Sequence, residues 1–422
     1  MKKTILMLFV LILIIMLIVD VYSFKGIRML TENLHQNFWR KAIYITFWAT
    51  TILMVLAMVS GYFFRSSTRN PAVFTWYYYI FGLFLIFYIP KILFGLFHLT
   101  EDIIYGITYV FQKIFQSKTA SHAGGEPITR VKFISQTGLI LASIPFLSFI
   151  WGIVRGRFNF QVEPVNVAFK NLPKRFDGLK IVHISDIHIG SFQGFENQVK
   201  EAIDMINAQK PDLILFTGDL VNNFYEELNG WLPILSKMEA KYGKYSILGN
   251  HDYGHYYNWS SKKEMNENFS RIKEAHAQMG FKLLNNASEV FELDGEKIAI
   301  IGVENWGLPP FPQIGDFKTA VKNVEDIPFK ILLSHDPTHW EEKIHGKTDV
   351  AITLSGHTHG MQFGIQVGNV KWSPSQYKYP RWSGLYKESG QYLYVNRGFG
   401  YIGYPGRVGM PPEITVLNLN SA

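Results

Sequence analysis

Five polar clusters follow one another along the C-terminal part of the chain: Asp186-Ile187-His188, Gly218-Asp219, Gly249-Asn250-His251-Asp252, His335 and Gly356-His357-Thr358-His359. A D-x-H or G-D pair arises by chance in most proteins of this size, so the ordered set carries the weight. Carboxylate oxygens are hard ligands and imidazole nitrogens borderline ones, which suits Mn, Fe, Zn or Co, and no cysteine competes for a soft metal. A carboxylate set between two ions can bridge them. Two ions about 3.5 to 4 Å apart acidify a bridging water and clamp the oxygens of an in-line phosphoryl displacement. The chemistry implied is hydrolysis without a covalent protein nucleophile. His357 and His359, separated by Thr358, can serve different ions, and His251 has Asp252 beside it to hold it cationic or to orient it.

Such residues need rigid placement, and the surrounding pattern supplies it. Leu179–Ser185, Leu213–Thr217 and Tyr245–Leu248 are compact apolar runs that stop just before a cluster. Between the first two, Phe195–Ala208 has helical spacing and predicts the crossover of a βαβ unit. Further runs at Phe281–Leu284, Lys297–Val303, Phe329–Ser334, Val350–Ser355, Gln391–Val395 and Ile414–Leu417 predict an α/β domain with two packed sheets over residues 156–422. Its clusters then sit on loops leaving strand ends, where such folds gather ligands.

Residues 1–155 read differently. Apolar stretches near Thr4–Phe24, Ala42–Phe64, Val73–Leu99 and Phe133–Ile153 are each long enough to cross a bilayer. They predict a bundle of about four transmembrane helices. The first follows Lys2 and Lys3 without a small-x-small cleavage site and reads as a retained anchor. Asp20 is expected at an interface, and Pro90-Lys91 is expected to end or kink the third span. Trp48, Trp76, Tyr77 to Tyr79 and Trp151 suit interfacial belts. Lys2, Lys3, Arg65, Arg69, Arg155 and Arg157 fall on one side, against Lys25, Arg28, Arg40, Lys41, Lys113, Lys118, Arg130 and Lys132 on the other. Six against eight assigns no orientation. A cell-membrane, multi-pass protein is expected, with the lipid bilayer as a partner.

The order and identity of the clusters closely resemble the calcineurin-like metallophosphoesterase family, whose pattern is D-x-H, G-D, G-N-H-D/E, H, G-H-x-H. The resemblance covers roughly residues 160 to 420 and implies a β-sandwich flanked by helices. It implies that Asp186, His188 and His359 bind one metal, that Asn250, His335 and His357 bind a second, and that Asp219 bridges both. His251 would protonate the leaving oxygen or stabilise the transition state, with Asp252 orienting it. The runs from Gly356 to Gln362, Lys378-Tyr379, Ser383–Tyr386, Arg397–Gly400 and Pro411–Ile414 are similar to the membrane-attached bacterial branch, which transmembrane animal proteins with such a domain share. Met361 stands where that branch commonly has glycine.

A pI near 9.1 invites a nucleic-acid reading, but the excess lies in the membrane half, +9 up to Arg155 against −2 beyond it. Nucleic acid is therefore argued against, and anionic lipid is the expected partner of the basic half. Residues Lys371 to Arg407 carry six basic side chains and one acid, Glu388, among many aromatics, so they either hold substrate phosphate or fill a core under a long loop. Arg397 is the candidate phosphate contact. Asp336 is a candidate to fix the His335 tautomer or to begin a turn, His255 to line the pocket or a surface loop, and His183 reads as structural. The expected substrate is a phosphate ester or pyrophosphate, lipid-linked as in UDP-2,3-diacylglucosamine. The alternatives are a general phosphodiesterase on soluble substrates and a metal-binding membrane sensor without turnover. Sequence identifies no protein partner.

Overall fold

The computed structural model describes residues 2–32, 34, 36–64, 71–115, 130–368 and 370–422. Arg65, Arg69 and Lys118, used above to weigh orientation, lie outside the described residues. The chain divides into two compact units, one of N-terminal helices up to Trp151, apart from a short stretch before Trp76, and one from Gly152 to Ala422.

The first unit contains α1 (Lys2–Thr31), α2 (Asn37–Phe64), α3 (Pro71–Phe115) and α4 (Arg130–Val154), four helices long and apolar enough to cross a membrane. One expectation narrows here and another is corrected. Of an end or a kink at Pro90, the end is excluded: α3 continues through it to Phe115 without the backbone donor that proline lacks. Asp20 is not interfacial, because α1 runs eleven residues beyond it and the side chain is fully buried. Its carboxylate takes Lys91 Nζ at 2.7 Å and the Tyr88 hydroxyl at 2.9 Å, while Lys91 Nζ also donates to Thr51 Oγ1 at 3.1 Å. An ion in hydrocarbon is held only by such pairing, so the same residues that interrupt the hydropathy pattern join α1, α2 and α3.

The second unit is a two-sheet sandwich covered by helices on both sides. Its strands are β1 (Gln161–Phe169), β2 (Leu179–Ile184), β3 (Leu213–Phe216), β4 (Gly243–Ser246), β5 (Lys282–Leu283), β6 (Ala287–Leu293), β7 (Glu296–Gly302), β8 (Lys330–Leu333), β9 (Ile352–Ser355), β10 (Ile365–Val367), β11 (Val370–Trp372), β12 (Gly384–Glu388), β13 (Gln391–Val395) and β14 (Glu413–Ser421). One sheet runs β1-β14-β2-β3-β4-β5 and the other β12-β13-β9-β8-β7-β6, while β10 and β11 form a hairpin of their own. Strand alternation builds the layers. Ile181, Leu213, Leu215 and Leu417 meet Ile300, Ile331, Leu333 and Leu354 between the sheets. Val182, Ile184, Ile214 and Phe216 on the opposite face pack against Val199, Ile203 and Ile206 of α5 (Glu196–Ala208) and Ile272 of α7 (Lys262–Gln278), with the short α6 (Leu232–Leu235) beside them. On the far side, Ile301 and Leu332 pack under α8 (Phe317–Val321) and Trp340.

The run at Phe281–Leu284 becomes only a two-residue edge strand, β5, and β4 beside it is shifted to Gly243–Ser246 from the expected run at Tyr245–Leu248. The parallel neighbours β2, β3 and β4 in one sheet, and β8, β9 and β13 in the other, all end at the edge where the polar clusters begin.

Candidate metal centre

Each cluster starts one to three residues past a strand, and backbone bonds tie several of them to a neighbouring strand's exit. Asp186 N donates to Gly218 O at 2.8 Å, His188 N to Asp219 O at 3.0 Å and Gly356 N to His335 O at 2.9 Å. Phe399 N closes the other sheet onto this edge by donating to Ser185 O at 2.7 Å. The backbone pays conformationally for this turn: Asp186, His188, Asp219, His357 and His359 all have φ between 47° and 70°. Left-handed backbone costs a non-glycine residue about 1 kcal/mol or more, and it persists where surrounding contacts enforce it, typically at functional sites. The glycines of the motifs serve close approach. A Cβ on Gly249 would overlap the Asp219 carboxylate, and one on Gly356 would overlap Ser185 and Asp186.

The side chains converge in two groups. Asp186, His188 and His359 form one in which His188 Nε2 lies 3.1 Å from His359 Nε2, and His359 Nε2 lies 3.2 Å from Asp186 Oδ1. Around the other, His335 Nε2 is 3.0 Å from Asn250 Oδ1 and 3.2 Å from His357 Nδ1. Asp219 Oδ2 stands between them, 3.5 Å from His188 Nε2 and 3.3 Å from His335 Nε2. Asp186, Asp219 and His335 also lie close enough together to share an ion.

Outward atoms are tied so that inward atoms are left bare. His335 Nδ1 donates to Thr217 O at 2.7 Å, which leaves Nε2 toward the cluster. His357 Nε2 meets the Tyr379 hydroxyl at 2.8 Å and Asp336 Oδ2 at 3.4 Å, which leaves Nδ1. Asn250 Nδ2 donates to Tyr256 Oη at 2.8 Å, fixing the amide with Oδ1 toward His335. His251 N donates to Asp219 Oδ1 at 2.8 Å, holding that carboxylate from the side. Arg407, fully buried and donating to the carbonyls of Arg397, Gly398, Gly400 and Met410, brings Nη2 to 3.2 Å from His359 Nδ1. Tyr256 and Arg407 carry no motif signature, and Tyr379 belongs only to the Lys378-Tyr379 run, which gave it no role. Only their aromatic or basic setting could have drawn attention to them.

The electrostatics fit a cation. Burial alone would raise the Asp186 carboxyl, but His359, His335 and His188 outweigh it and hold it well below the carboxylate range. Burial of Asp219 is likewise outweighed by His335 and His251. Burial opposes a proton on His335, yet the Asp219 and Asp186 carboxylates raise it to about 10, so Nε2 carries a proton whose positive charge a bound ion would replace. Burial lowers His357 to about 4 against the pull of Asp336, so its ring stays neutral with a lone pair to offer. Two ionised carboxylates, an amide oxygen and imidazole lone pairs in one buried pocket are the donor set a divalent ion takes.

Two assignments from sequence, those of Asp252 and Arg397, are corrected, and Asp336 takes the second of its two readings, the turn. Asp252 does not orient the His251 ring: its Oδ2 accepts from Asp219 N and Gly249 N, and its Oδ1 from Leu220 N and Val221 N, at 2.8 to 3.3 Å. It staples the two loops that bring in Asp219 and Asn250. The ring is oriented instead by Nδ1 donating to Asn222 O at 2.8 Å. Arg397 is not a free phosphate contact. It is 3% exposed, and its guanidinium donates to Glu413, Glu163 and Gln366. Asp336 does not touch the His335 ring nitrogens. It sits by His357 and accepts from Thr338 N and Oγ1, the turn that begins at Pro337. His183 is buried with Nε2 2.9 Å from Thr217 Oγ1, and His255 is exposed against Tyr253.

The open side of the cluster lies at His251 and His357, which are partly exposed, and at Tyr256, 49% exposed. Phe311 meets the His357 ring edge-on at 4.6 Å between centroids, and Lys378 Nζ lies 4.7 Å from the Phe311 centroid.

A model described as the transmembrane domain of a probable calcineurin-like phosphoesterase matches residues 3–157, and one for calcineurin-like phosphoesterase matches residues 179–361. The chain is 35% identical to the Bacillus subtilis metallophosphoesterase YkuE over 281 residues, covering 64% of this chain and 90% of that one. A Campylobacter jejuni metallophosphoesterase is 27% identical over 391 residues, 87% of this chain and 96% of that one. The Danio rerio transmembrane protein with metallophosphoesterase domain is 28% identical over 295 residues, 68% of this chain, of which this chain spans 63%.

Proposed function

The chain belongs to the calcineurin-like phosphoesterases and is a multi-pass membrane protein, and from that premise we propose that it is a dinuclear hydrolase of phosphate-ester or pyrophosphate bonds presented at a lipid surface. The observation that carries the dinuclear reading is Asp219 Oδ2, set 3.5 and 3.3 Å from the Nε2 atoms of His188 and His335 in the two clusters. Asp186, His188 and His359 would hold one divalent ion, Asn250, His335 and His357 the other, and Asp219 both. When bound, such a pair supplies Lewis acidity and an acidified water.

The remaining work falls to the chain. Asn222 O holds the proton on His251 Nδ1, so Nε2 is the nitrogen left to carry or release one. Nε2 gives its proton to the leaving oxygen or hydrogen-bonds the charge that builds there. Burial lowers the proton affinity of His251 while the Asp219 carboxylate opposes that shift. Lys378, exposed beside Phe311 and Tyr379, takes the role of phosphate contact that Arg397 cannot fill. Four spans confine the enzyme to the bilayer, which supports a lipid-linked substrate such as UDP-2,3-diacylglucosamine over a soluble one. Mn, Fe or Zn fits the donor set.

Full-length protein in detergent, purified without chelator, tests this with bis-p-nitrophenyl phosphate and Mn beside Asp219→Asn. Two bound ions in the wild type, with a loss of activity of about 10³-fold in the variant, are expected. Wild-type protein that binds metal and hydrolyses neither this ester nor vesicle-borne lipid pyrophosphates would sink the catalytic reading.

A further inference from the structure

The hairpin β10–β11 belongs to neither large sheet. Directly opposed residues of an antiparallel pair share a face. The register therefore puts Ile365 and Trp372 with Val367 and Val370 on one face, and Gln366 with Lys371 on the other. The polar face carries a side-chain link to the domain, because Arg397 Nη1 donates to Gln366 Oε1 at 3.3 Å. Trp372 is half-buried near Phe363, while Ile365, Val367 and Val370 are 53%, 70% and 66% exposed. Apolar residues are thus presented outward from the tip of a two-stranded ribbon, which has little stability of its own.

We propose that this apolar face enters the lipid bilayer, so that the catalytic unit docks on the membrane through the hairpin as well as through its helical anchor. Continuity of the chain argues for lipid as the occupant. The last membrane-capable helix, α4, ends at Val154 and β1 begins at Gln161, so at most about 24 Å of chain tethers the domain to the bilayer. Tethering raises the effective concentration of the surface, and a small apolar tip then suffices. A second copy of the chain is a poorer occupant, because three side chains fall far short of the roughly 800 Å² per partner of a stable protein interface. The strands are three residues long, about 10 Å, which reaches the boundary between headgroups and acyl chains.

The hairpin is bonded next to the metal-ligand turn at one end and to the segment after Arg407 at the other. Ser373 Oγ donates to Gly360 O at 2.7 Å after β11, and Gly364 N donates to Val408 O at 2.9 Å before β10. Insertion would therefore hold the His357–His359 turn at the lipid surface. The inference requires neither catalysis nor a lipid substrate.

The chain has no cysteine, so single labels are clean. An environment-sensitive fluorophore would be placed on Val367→Cys and, separately, on Val370→Cys of the full-length protein in nanodiscs of phosphatidylethanolamine and phosphatidylglycerol. Lys263→Cys on α7, whose side chain is 86% exposed, is the reference. Both hairpin probes should be quenched by chain-brominated lipids and be about fivefold less accessible to aqueous iodide than the reference. Iodide access equal to the reference overturns the inference. So does shielding from iodide without quenching by brominated lipid, since protein would then cover the face. Thermal unfolding matching the unlabelled protein shows that each variant is folded.

Discussion

The second unit buries charge in two neighbouring places, and builds them on opposite rules. Around Asp186 and Asp219 the partners are imidazoles and backbone N–H groups, and among the described residues no lysine or arginine bonds either carboxylate. Around Arg397, one guanidinium meets Glu413 and Glu163, and Glu413 also accepts from Tyr394 and Thr415. The second group is closed on itself. The first leaves a positive charge to be supplied from outside and holds its ligands on left-handed backbone, at a cost in stability. Burial of ionisable residues alone therefore does not mark a site; an unmet demand for countercharge does. The Asp20–Lys91 pair of the helical unit follows the closed rule.

Breaking the closed group should cost the most stability. Arg397→Met leaves two carboxylates without their cation, and thermal unfolding of the detergent-solubilised protein should report a loss of about 3–5 kcal/mol. Adding Glu413→Leu should recover part of it. If Arg397→Met instead keeps stability and abolishes turnover of folded enzyme, the arginine belongs to the open group after all. On the open side, His251→Gln should lower kcat by about 10²-fold while bound metal stays at the wild-type amount, as general acid–base roles require. A loss of metal would mean that the His251 ring, rather than only its backbone N–H, helps to hold the ligand set in place.

Acid acts on a third kind of buried ionisable residue, histidines that belong to neither group and are kept neutral. Burial keeps His276 neutral down to about 3 and His339 down to about 4, from an ordinary 6.5. The unfolded chain takes those protons first, so stability is full above pH 6.5 and is lost as pH falls toward 4. Each histidine contributes about 1.4 kcal/mol per pH unit. His276→Gln should flatten the fall in unfolding temperature between pH 6.5 and 4.5; an unchanged slope would remove His276 from the account. The smallest effect concerns Met361, at φ 50° and 48% exposed beside the ligand turn. Met361→Gly should stabilise by about 0.5–1 kcal/mol without altering metal content, because glycine adopts that backbone freely. Destabilisation would mean the methionine side chain is held by a contact.

Much of this was readable in the chain. Strand ends announce themselves where an apolar run stops at Asp186, Asp219 or His357, since both burial and metal ligation depend on residue type and local order. Four spans are visible because hydrocarbon tolerates no substitute for length and apolarity. What Asp252 and Arg397 do was not readable, because a carboxylate serves equally as an orienting base or as an acceptor for four backbone N–H groups. Its partners lie thirty or more residues away in Asp219, Leu220 and Val221, as well as nearby in Gly249.

The sequence by itself determined the membrane half, the strand-and-loop order and the ligand types, all properties of composition and short-range pattern. Only the tertiary structure decided which nitrogens face inward, through Thr217, Tyr379 and Asn222, and which basic residue is spent on Glu413. It also decided that β10–β11 turns its apolar face outward. Hydrogen-bond partners and faces are set by which distant strands lie side by side, and no local pattern encodes that pairing.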